Sequence, residues 1–341
     1  MSSRKLSIAH VLPSMNFGGV EIAILKSHKV LNQEFDYKVY YVRESGGLDV
    51  TQSSVLNLLK NILFKKNYPD LVLTSLWWGH LVGILLLPFG IRWACFIHST
   101  GYSSLIDKIT IKLALTLCKN HIFDSTTTKE YFNSFKNRNN FVVPYIFSNP
   151  SNDFYLNNNP QYTFSWAGRN SKEKRLDLLV KFITSLEKEG ISFRFNACIA
   201  GDRYSPLDNL ATKSKNPISL QYNVLPEKVI SIYKDSKISL CFSDYEGFSA
   251  STAEAALHGN LICGRKVGEL PNYLCNEQTI WLDDLSPYSW EAFILKVKDY
   301  LNDESDLVGR RLKSQSYTKK VLGSSSYTSS LSTCLDSILD N

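Results

Sequence analysis

The chain has 341 residues, of which 44% are hydrophobic and 21% are charged. This composition excludes a disordered or fibrous protein and predicts about two domains. The formal net charge is +6, and residues 1–160 carry all of the excess, with 16 basic and 10 acidic side chains. The asymmetry favours an anionic partner for the first half, either a phosphorylated ligand or an acidic membrane surface, although solubility explains it equally well.

Residues 6–12 begin the chain's apolar pattern with a run that is too short for the core of a signal peptide, and they predict a first buried strand. Similar runs along the chain predict further strands, with amphipathic helical stretches between them. The predicted strands are 6–12, 37–42, 70–75, 92–98, 121–124, 163–167, 192–200, 218–221, 238–243 and 261–264. This alternation indicates parallel sheets covered by helices on both faces.

Residues 71–91 contain no Asp, Glu, Lys or Arg and are long enough to span a bilayer. Buried parallel strands also appear as continuous apolar runs. A strand at 71–75, a loop at 77–80 and a short helix ending at Pro88 are therefore favoured over a membrane span.

The second half contains clear helix boundaries. Apolar residues recur at helical spacing from Leu176 to Leu186, and Gly190 stands where a cap would end that helix. Pro226 predicts the first turn of another helix.

A polar, proline-punctuated stretch at 144–160 separates the two halves. We therefore predict an α/β chain of two Rossmann-like domains, 1–150 and 151–341. Their parallel sheets would face an interdomain cleft, with a ligand at the carboxyl ends of the strands. The last helix could return to pack on the first domain.

Seven cysteines are scattered through the chain without a C-x-x-C pair. An odd number in this arrangement argues against a disulfide framework and a zinc site. It predicts a reducing, cytoplasmic compartment.

The strongest motif follows the predicted strand 238–243. Glu246 lies in the loop that leaves the strand, and Glu254 lies about one turn into the next helix. Either carboxylate can accept hydrogen bonds from sugar hydroxyls, and the backbone N–H groups of 249–252 suit a phosphate. The spacing alone fits an acidic loop before a capped helix as well.

A basic segment follows the predicted strand 163–167. Arg169 and Lys174 are placed to supply two fixed cations, which suit a diphosphate leaving group as it gains charge. Lys172 and Arg175 are interpreted as solvated residues at the start of a helix.

Two further signals lie in the first half. Gly18 and Gly19 follow the first strand and let a backbone approach a ligand closely, although a tight turn explains them when they are taken alone. They do not form G-x-G-x-x-G, so the pair is a poor match to a dinucleotide site. His98 ends a predicted strand and can face a cleft, but a lone histidine is more often structural.

Together these motifs resemble the retaining GT-B glycosyltransferases, specifically glycosyltransferase family 4, and the resemblance covers most of the chain. Its most specific element is the E-x7-E motif formed by Glu246 and Glu254. The glycine pair, the basic segment and the histidine fall in the family's order. Residues 264–272 depart from the pattern, because one glycine of a usual pair is missing and Asn272 replaces an acid.

The resemblance implies a role for each matching residue. Arg169 and Lys174 would bind the donor diphosphate, Glu246 would contact the transferred sugar, and Glu254 would hold the ribose. Backbone groups of Phe248, Ser249 and Ala250 would contact the phosphate and the sugar. His98 would lie beside the sugar. Gly18 and Gly19 would lie near the diphosphate and the acceptor.

The predicted activity is transfer of a sugar from a nucleoside diphosphate donor, UDP- or GDP-linked, to a hydroxyl of a glycan or lipid-linked acceptor. The resemblance implies retention of configuration, in the synthesis of bacterial lipopolysaccharide O-antigen, capsule or exopolysaccharide. The sequence contains no D-x-D motif, so activity without a metal or cofactor is expected.

The basic first half fits a phosphate-bearing lipid acceptor and peripheral contact with an anionic membrane at its inner face. The lysines available for such a surface are Lys60, Lys65, Lys66, Lys108, Lys112 and Lys119. No nucleic-acid partner is predicted, because no RNA- or DNA-binding signature accompanies the basic residues. Two alternatives stay open: a catalytically silent partner subunit, and an inverting transferase or epimerase of similar shape.

Overall fold

A computed structural model describes residues 4–13, 19–42, 52–65, 68–102, 104–132, 138–144, 157, 160, 162–322 and 327–340. The chain divides into two compact units. The first comprises Met1–Phe147 with Ser325–Asn341, and the second comprises Ser148–Ser324.

The first unit alternates strands and helices from its beginning. In chain order they are β1 (Ser7–Leu12), α1 (Gly19–Glu34), β2 (Asp36–Tyr41), β3 (Gln52–Ser54), α2 (Val55–Lys65), β4 (Leu71–Ser75), α3 (Leu76–Leu86), β5 (Trp93–Ile97), α4 (Leu105–Leu117), β6 (Asn120–Phe123), α5 (Thr126–Tyr131) and β7 (Asn139–Val142). A short 3-10 helix, Leu87–Phe89, follows α3.

The described strands of this unit form one parallel sheet of seven strands, in the order β3-β2-β1-β4-β5-β6-β7. All residues of β4 and β5 are buried, which explains why these strands appear in the sequence as continuous apolar runs. The strand order reverses between β1 and β4, so the sheet has its topological switch point there.

One interpretation of the first half was wrong. Residues 77–80 are not a loop but the first turns of α3, which begins at Leu76 directly after β4. Leu76 adopts a φ of 62°, and this left-handed residue turns the chain from strand to helix without a connecting segment. No helix in the described part of the chain is long and apolar enough to cross a membrane.

The second unit repeats the same plan. Its elements are β8 (Tyr162–Arg169), α6 (Leu176–Lys188), β9 (Phe195–Ala200), α7 (Ser205–Lys213), β10 (Ile218–Tyr222), α8 (Pro226–Lys234), β11 (Ser236–Cys241), α9 (Ala250–Leu257), β12 (Leu261–Arg265), α10 (Leu270–Tyr273), β13 (Ile280–Leu282), α11 (Pro287–Asn302) and α12 (Glu304–Leu322). A 3-10 turn, Lys172–Lys174, precedes α6.

The described strands of the second unit form a parallel six-stranded sheet in the order β10-β9-β8-β11-β12-β13. Its switch point lies between β8 and β11. The helix predicted from Leu176 is α6, and Gly190 follows it with a φ of 67°. Pro226 begins α8 as predicted. The predicted parallel α/β architecture is therefore confirmed.

The sequence analysis missed three short strands, β3, β7 and β13. All three lie at an edge of their sheet. An edge strand pairs on one side only, so it can be short and partly polar, and it leaves a weak apolar signal. β7 ends at Val142, two residues before the predicted linker begins.

The last helix, α13 (Tyr327–Asp340), belongs to the first unit, where it packs against α1. Tyr327, Leu331 and Leu335 form its buried side. Of the predicted linker 144–160, only residues 144, 157 and 160 lie within the described part of the chain.

Candidate active site

The carboxyl ends of β8 and β11 lie side by side at the switch point of the second unit. The loop after β8 contains Lys174, and the loop after β11 contains Glu246. A backbone hydrogen bond joins the loops, in which the N–H of Asp244 donates to the carbonyl of Glu173 at 2.8 Å. Ligands of open α/β sheets bind at this position.

Lys174 and Glu246 form an ion pair in these loops. The Nζ of Lys174 lies 2.6 Å from Oε1 of Glu246, and the two side chains are only 18% and 10% exposed. The Oγ of Ser243 donates to the same oxygen at 2.7 Å. The pair is thus largely shielded from water, so each charge depends on the other for compensation.

A second ionic cluster lies beside this pair. Asp244 accepts a hydrogen bond from Arg175 at 2.9 Å and another from Arg265. Arg175 also binds Asp177 through two nitrogens, at 2.9 and 2.8 Å. The interpretation of Arg175 as a solvated residue was therefore wrong: its side chain is 23% exposed, because two carboxylates hold it against the loops.

Arg169 is the last residue of β8 and is exposed at the carboxyl edge of the sheet. The sequence placed Arg169 in the loop after a strand ending at 167, whereas β8 extends to include it. Lys172 lines a hollow of about 440 Å³ beside the loops. The other residues that line the hollow include Asn170, Arg175, Tyr204 and Asp244, and neither member of the Lys174–Glu246 pair is among them.

The start of α9 presents backbone groups next to the Glu246 loop. Ser249 precedes the helix in a left-handed conformation, with a φ of 58°. Its hydroxyl and that of Thr252 bond to each other at 2.9 Å, so both hydroxyls are engaged within the protein. The helix begins at Ala250, and the N–H groups of Thr252 and Ala253 both donate to the carbonyl of Ser249 at 3.1 Å.

Phe248 and Glu254 differ in their surroundings. The ring of Phe248 is buried and packs against Tyr273 with 5.2 Å between centroids. Only its backbone is therefore placed to meet a ligand. Glu254 is half-buried in α9, and its charge adds to the effect of burial in raising the pKa of Tyr233.

Two glycines shape the loop that carries Glu246. Gly268 has a φ of 54°, and a Cβ atom there would lie 2.4 Å from the carbonyl oxygen of Gly247 and 2.5 Å from that of Glu246. At Gly264 a Cβ would lie 1.8 Å from the carbonyl oxygen of Cys241. The segment 264–272 thus packs against the Glu246 loop through Gly268 and against the end of β11 through Gly264.

The remaining predicted residues lie in the first unit. His98 directly follows β5, and its ring packs against Phe96 at a tilt of 39°, with 4.2 Å between ring centroids. Burial, followed by the nearby His80 and His10, lowers the pKa of His98 well below 6.5, so its imidazole is neutral at physiological pH. Gly19 begins α1, with nothing within 4 Å of a Cβ built there, whereas Gly18 lies outside the described residues.

Sequence reasoning missed Ser243, Asp244 and Arg265 as parts of the site. Ser243 and Asp244 stand three and two residues before Glu246, and this closeness in sequence was the available signal. No signal in the sequence pointed to Arg265, because its contact with Asp244 depends on β12 lying next to β11. In the described part of the chain no group of three or more His, Cys, Asp or Glu residues could hold a metal ion.

Several solved structures share this fold. Sucrose-phosphate synthase from Thermosynechococcus elongatus has a TM-score of 0.75 and 13% identity, covering 98% of this chain and 100% of that one. HepE of Anabaena, solved with UDP-glucose, has a TM-score of 0.74 and 13% identity, covering 98% and 99%. The catalytic domain of starch synthase IV from Arabidopsis thaliana, bound to ADP and acarbose, has a TM-score of 0.71 and 11% identity, covering 99% and 100%.

Two Rossmann-like units, each with its own parallel sheet, have the GT-B fold of these structures. Residues 151–321, half of the chain, match the family model for glycosyl transferases group 1. The chain therefore belongs to the group 1 glycosyltransferases. No curated protein matches its sequence significantly.

Proposed function

We propose that this protein transfers a sugar from a nucleoside diphosphate donor to a hydroxyl of a glycan or lipid-linked acceptor, with retention of configuration and without a metal. The observation that carries the proposal is the shielded Lys174–Glu246 pair at the switch point of the second unit. Synthesis of a bacterial surface polysaccharide is the proposed setting.

Lys174 is suited to hold the diphosphate while it remains paired. An ammonium group has three N–H donors, and one of them serves Glu246. The other donors can bind phosphate oxygens, together with the exposed guanidinium of Arg169 and the N–H groups at the start of α9. These fixed positive groups would replace the metal ion that other transferases use at a diphosphate.

Glu246 and Glu254 are suited to hydroxyl groups. The carboxylate of Glu246 is held in place by Lys174 and Ser243, so it can accept hydrogen bonds from the transferred sugar without reorganising. Glu254, on the next helix, would take the ribose hydroxyls. Backbone groups of Phe248, Ser249 and Ala250 would contact phosphate and sugar, and the neutral His98 would lie beside the sugar.

The reaction would begin with cleavage of the bond between the sugar and the diphosphate. Positive charge develops on the sugar, and negative charge accumulates on the leaving phosphate, which can then accept the proton of the acceptor hydroxyl. Lys174, Arg169 and the α9 terminus would stabilise this charge more strongly in the transition state than in the bound donor. Removing one such donor typically slows a reaction about 10²–10³-fold.

The donor nucleotide is proposed to be UDP or GDP. HepE was solved with UDP-glucose, and starch synthase IV was solved with ADP, so nucleotides with different bases are found on this fold. Calorimetric titration with UDP, GDP, ADP, CMP and dTDP would identify the base.

The proposal is tested by the variants Lys174→Ala and Glu246→Gln, assayed for donor consumption and product formation in the presence of EDTA. We expect each to lower turnover at least about 10²-fold while the fold is preserved by circular dichroism. The matched controls are Lys237→Ala and Glu304→Gln. These residues form another ion pair, at 2.7 Å, near the amino end of β11, and their loss should leave turnover unchanged.

Three results would contradict the proposal. Near wild-type turnover of both site variants would show that Lys174 and Glu246 do not act in the transfer. Loss of activity in EDTA would show that the transfer requires a metal ion. A protein that binds nucleotide sugars but neither transfers nor hydrolyses them would be a catalytically silent partner subunit. The anomeric configuration of the product separates retention from inversion.

A further inference from the structure

Helices α2, α3 and α4 cover one face of the first unit's sheet. Leu58, Val82 and Ile111, one from each helix, belong to the same buried core cluster. Connections between parallel strands are right-handed, so the direction in which the chain moves across the sheet decides which face a helix covers. The chain moves in one direction from β1 to β2 and in the other from β4 to β5. Helix α1 therefore lies on the opposite face from α3. The outer side of this α2–α3–α4 layer carries exposed side chains of all three helices.

The outer side of α4 is apolar, which is unusual for a helix that already buries its inner side. Thr110, Ile111, Ala114 and Leu115 are buried against the sheet. The solvent-facing apolar residues are Leu105 at 72% exposure, Ile106 at 58%, Ile109 at 51%, Leu113 at 45% and Leu117 at 43%. Their helical spacing places them together, so α4 presents a continuous apolar face instead of a polar one.

Helices α2 and α3 also carry exposed apolar residues, and α3 packs beside α4. Leu56 and Phe64 of α2 are 62% and 81% exposed, and Leu85 of α3 is 65% exposed. Scattered single residues of this kind are normal on a protein surface. Eight exposed apolar residues on three helices of one layer are unusual for a protein surface. They indicate a surface that meets an apolar partner.

The exposed charges on α2, α3 and α4 have one sign. Lys108 and Lys112 are exposed on α4, and Lys60 is exposed on α2. The only acidic residue in the three helices is Asp107, and it is buried. Helices α1 and α13, which pack elsewhere in the unit, carry acidic residues, namely Glu21, Glu34, Asp336 and Asp340.

We propose that the outer face of α4, extended by the exposed apolar residues of α2 and α3, docks on the surface of an anionic lipid bilayer. An apolar helix face bordered by lysines lies in the bilayer interface, where its leucines enter the acyl boundary and its lysines reach the phosphate headgroups. A protein partner would need to supply acidic groups around an equally apolar patch, whereas an anionic membrane presents both features over any area.

The docking would also orient the unit. Helix α4 begins seven residues after His98, at the carboxyl edge of the sheet, so an α4 lying on a bilayer brings that edge close to the headgroups. A lipid-linked acceptor would then reach the protein without leaving the membrane. The inference does not rest on the proposed reaction, because α4 contributes no residue to the Lys174–Glu246 site.

The test is flotation of the full-length protein with vesicles of phosphatidylcholine, with and without phosphatidylglycerol. We expect binding only to the vesicles that contain phosphatidylglycerol, weakening as salt is raised. The variants Ile109→Ser/Leu113→Ser and Lys108→Glu/Lys112→Glu should each lower the vesicle partition coefficient at least about tenfold. Thermal melting would verify that both are folded.

The matched control is Leu225→Ser/Leu295→Ser, which removes two leucines of the second unit that are 58% and 46% exposed. It should bind vesicles like the wild type. Three outcomes would overturn the proposal. The first is that the wild type does not float with vesicles at low salt. The second is that the control variant loses as much vesicle binding as the α4 variants. The third is that the wild type is a dimer and that only the α4 substitutions dissociate it. The last would show that a second copy of the chain covers this face.

Discussion

The backbone N–H of Asp244 donates to the backbone carbonyl of Glu173 at 2.8 Å, and this bond joins two loops that leave neighbouring strands. Lys174 follows one partner directly, and Glu246 lies two residues after the other. The side chain of Asp244 adds a second connection by accepting hydrogen bonds from Arg175 and Arg265. Asp244 is therefore a positioning residue for the ion pair, which it does not itself contact.

The variant Asp244→Asn should lower turnover more than stability. It keeps the backbone bond but weakens the contacts to both guanidinium groups. Because the side chain is 37% exposed, solvent screening limits the loss of unfolding free energy to about 1 kcal/mol. Misalignment of Lys174 and Glu246 should lower turnover about tenfold, measured beside urea unfolding.

Asp208→Asn is the control for this prediction. Asp208 accepts hydrogen bonds from Arg203 and Tyr222, outside the two loops. Its loss should leave turnover unchanged. Equal turnover in the two variants would show that Asp244 does not position the site.

The variant Gly268→Ala should displace the loop that carries Glu246. The position combines a φ of 54° with carbonyl oxygens 2.4 and 2.5 Å from a Cβ, so the backbone must move. Gly190→Ala is the matched control, since its φ is 67° and nothing lies within 4 Å of a Cβ. Both should lose about 1 kcal/mol of stability from the left-handed backbone, and Gly268→Ala should lose more because of its two close contacts.

Only Gly268→Ala should also weaken nucleotide binding and turnover, measured by calorimetry and donor consumption. Turnover unchanged in Gly268→Ala, with stability lowered as in Gly190→Ala, would mean that the contact does not support the Glu246 loop.

Buried histidines should make the protein less stable in mild acid. Burial lowers the pKa of His10 to about 3 and that of His80 to about 3, whereas unfolded histidines titrate near 6.5. Below pH 6.5 the unfolded chain therefore binds more protons than the folded one, and the free energy of unfolding falls as pH drops. The stabilisation is complete above pH 6.5 and is lost progressively towards pH 3.

Urea unfolding at pH 7 and pH 5.5 measures this effect. We expect a decrease of about 1 kcal/mol for each histidine over this interval. His10→Gln removes one titrating group. The free energy of unfolding of this variant should therefore fall by about 1 kcal/mol less than that of the wild type between pH 7 and pH 5.5. An identical pH dependence in wild type and variant would show that His10 takes up a proton in the folded state.

Much of the architecture could be predicted from local patterns. The strands near 6–12, 70–75 and 238–243 are buried apolar runs, and the helices at Leu176 and Pro226 begin where their spacing and caps indicated. The prediction of a loop at 77–80 was wrong, because a single left-handed residue, Leu76, connects β4 to α3. A left-handed leucine is uncommon, so no local rule would have predicted this turn.

The sequence by itself determined the alternation of strands and helices and the eight-residue spacing of Glu246 and Glu254, because periodicity and short-range spacing are local properties. Only the tertiary structure decided that Lys174 pairs with Glu246, since 72 residues separate them and their meeting depends on β8 lying beside β11. It also decided which apolar side of α4 remains in solvent. Both sides of that helix are apolar in the sequence, and packing against the sheet covers only one.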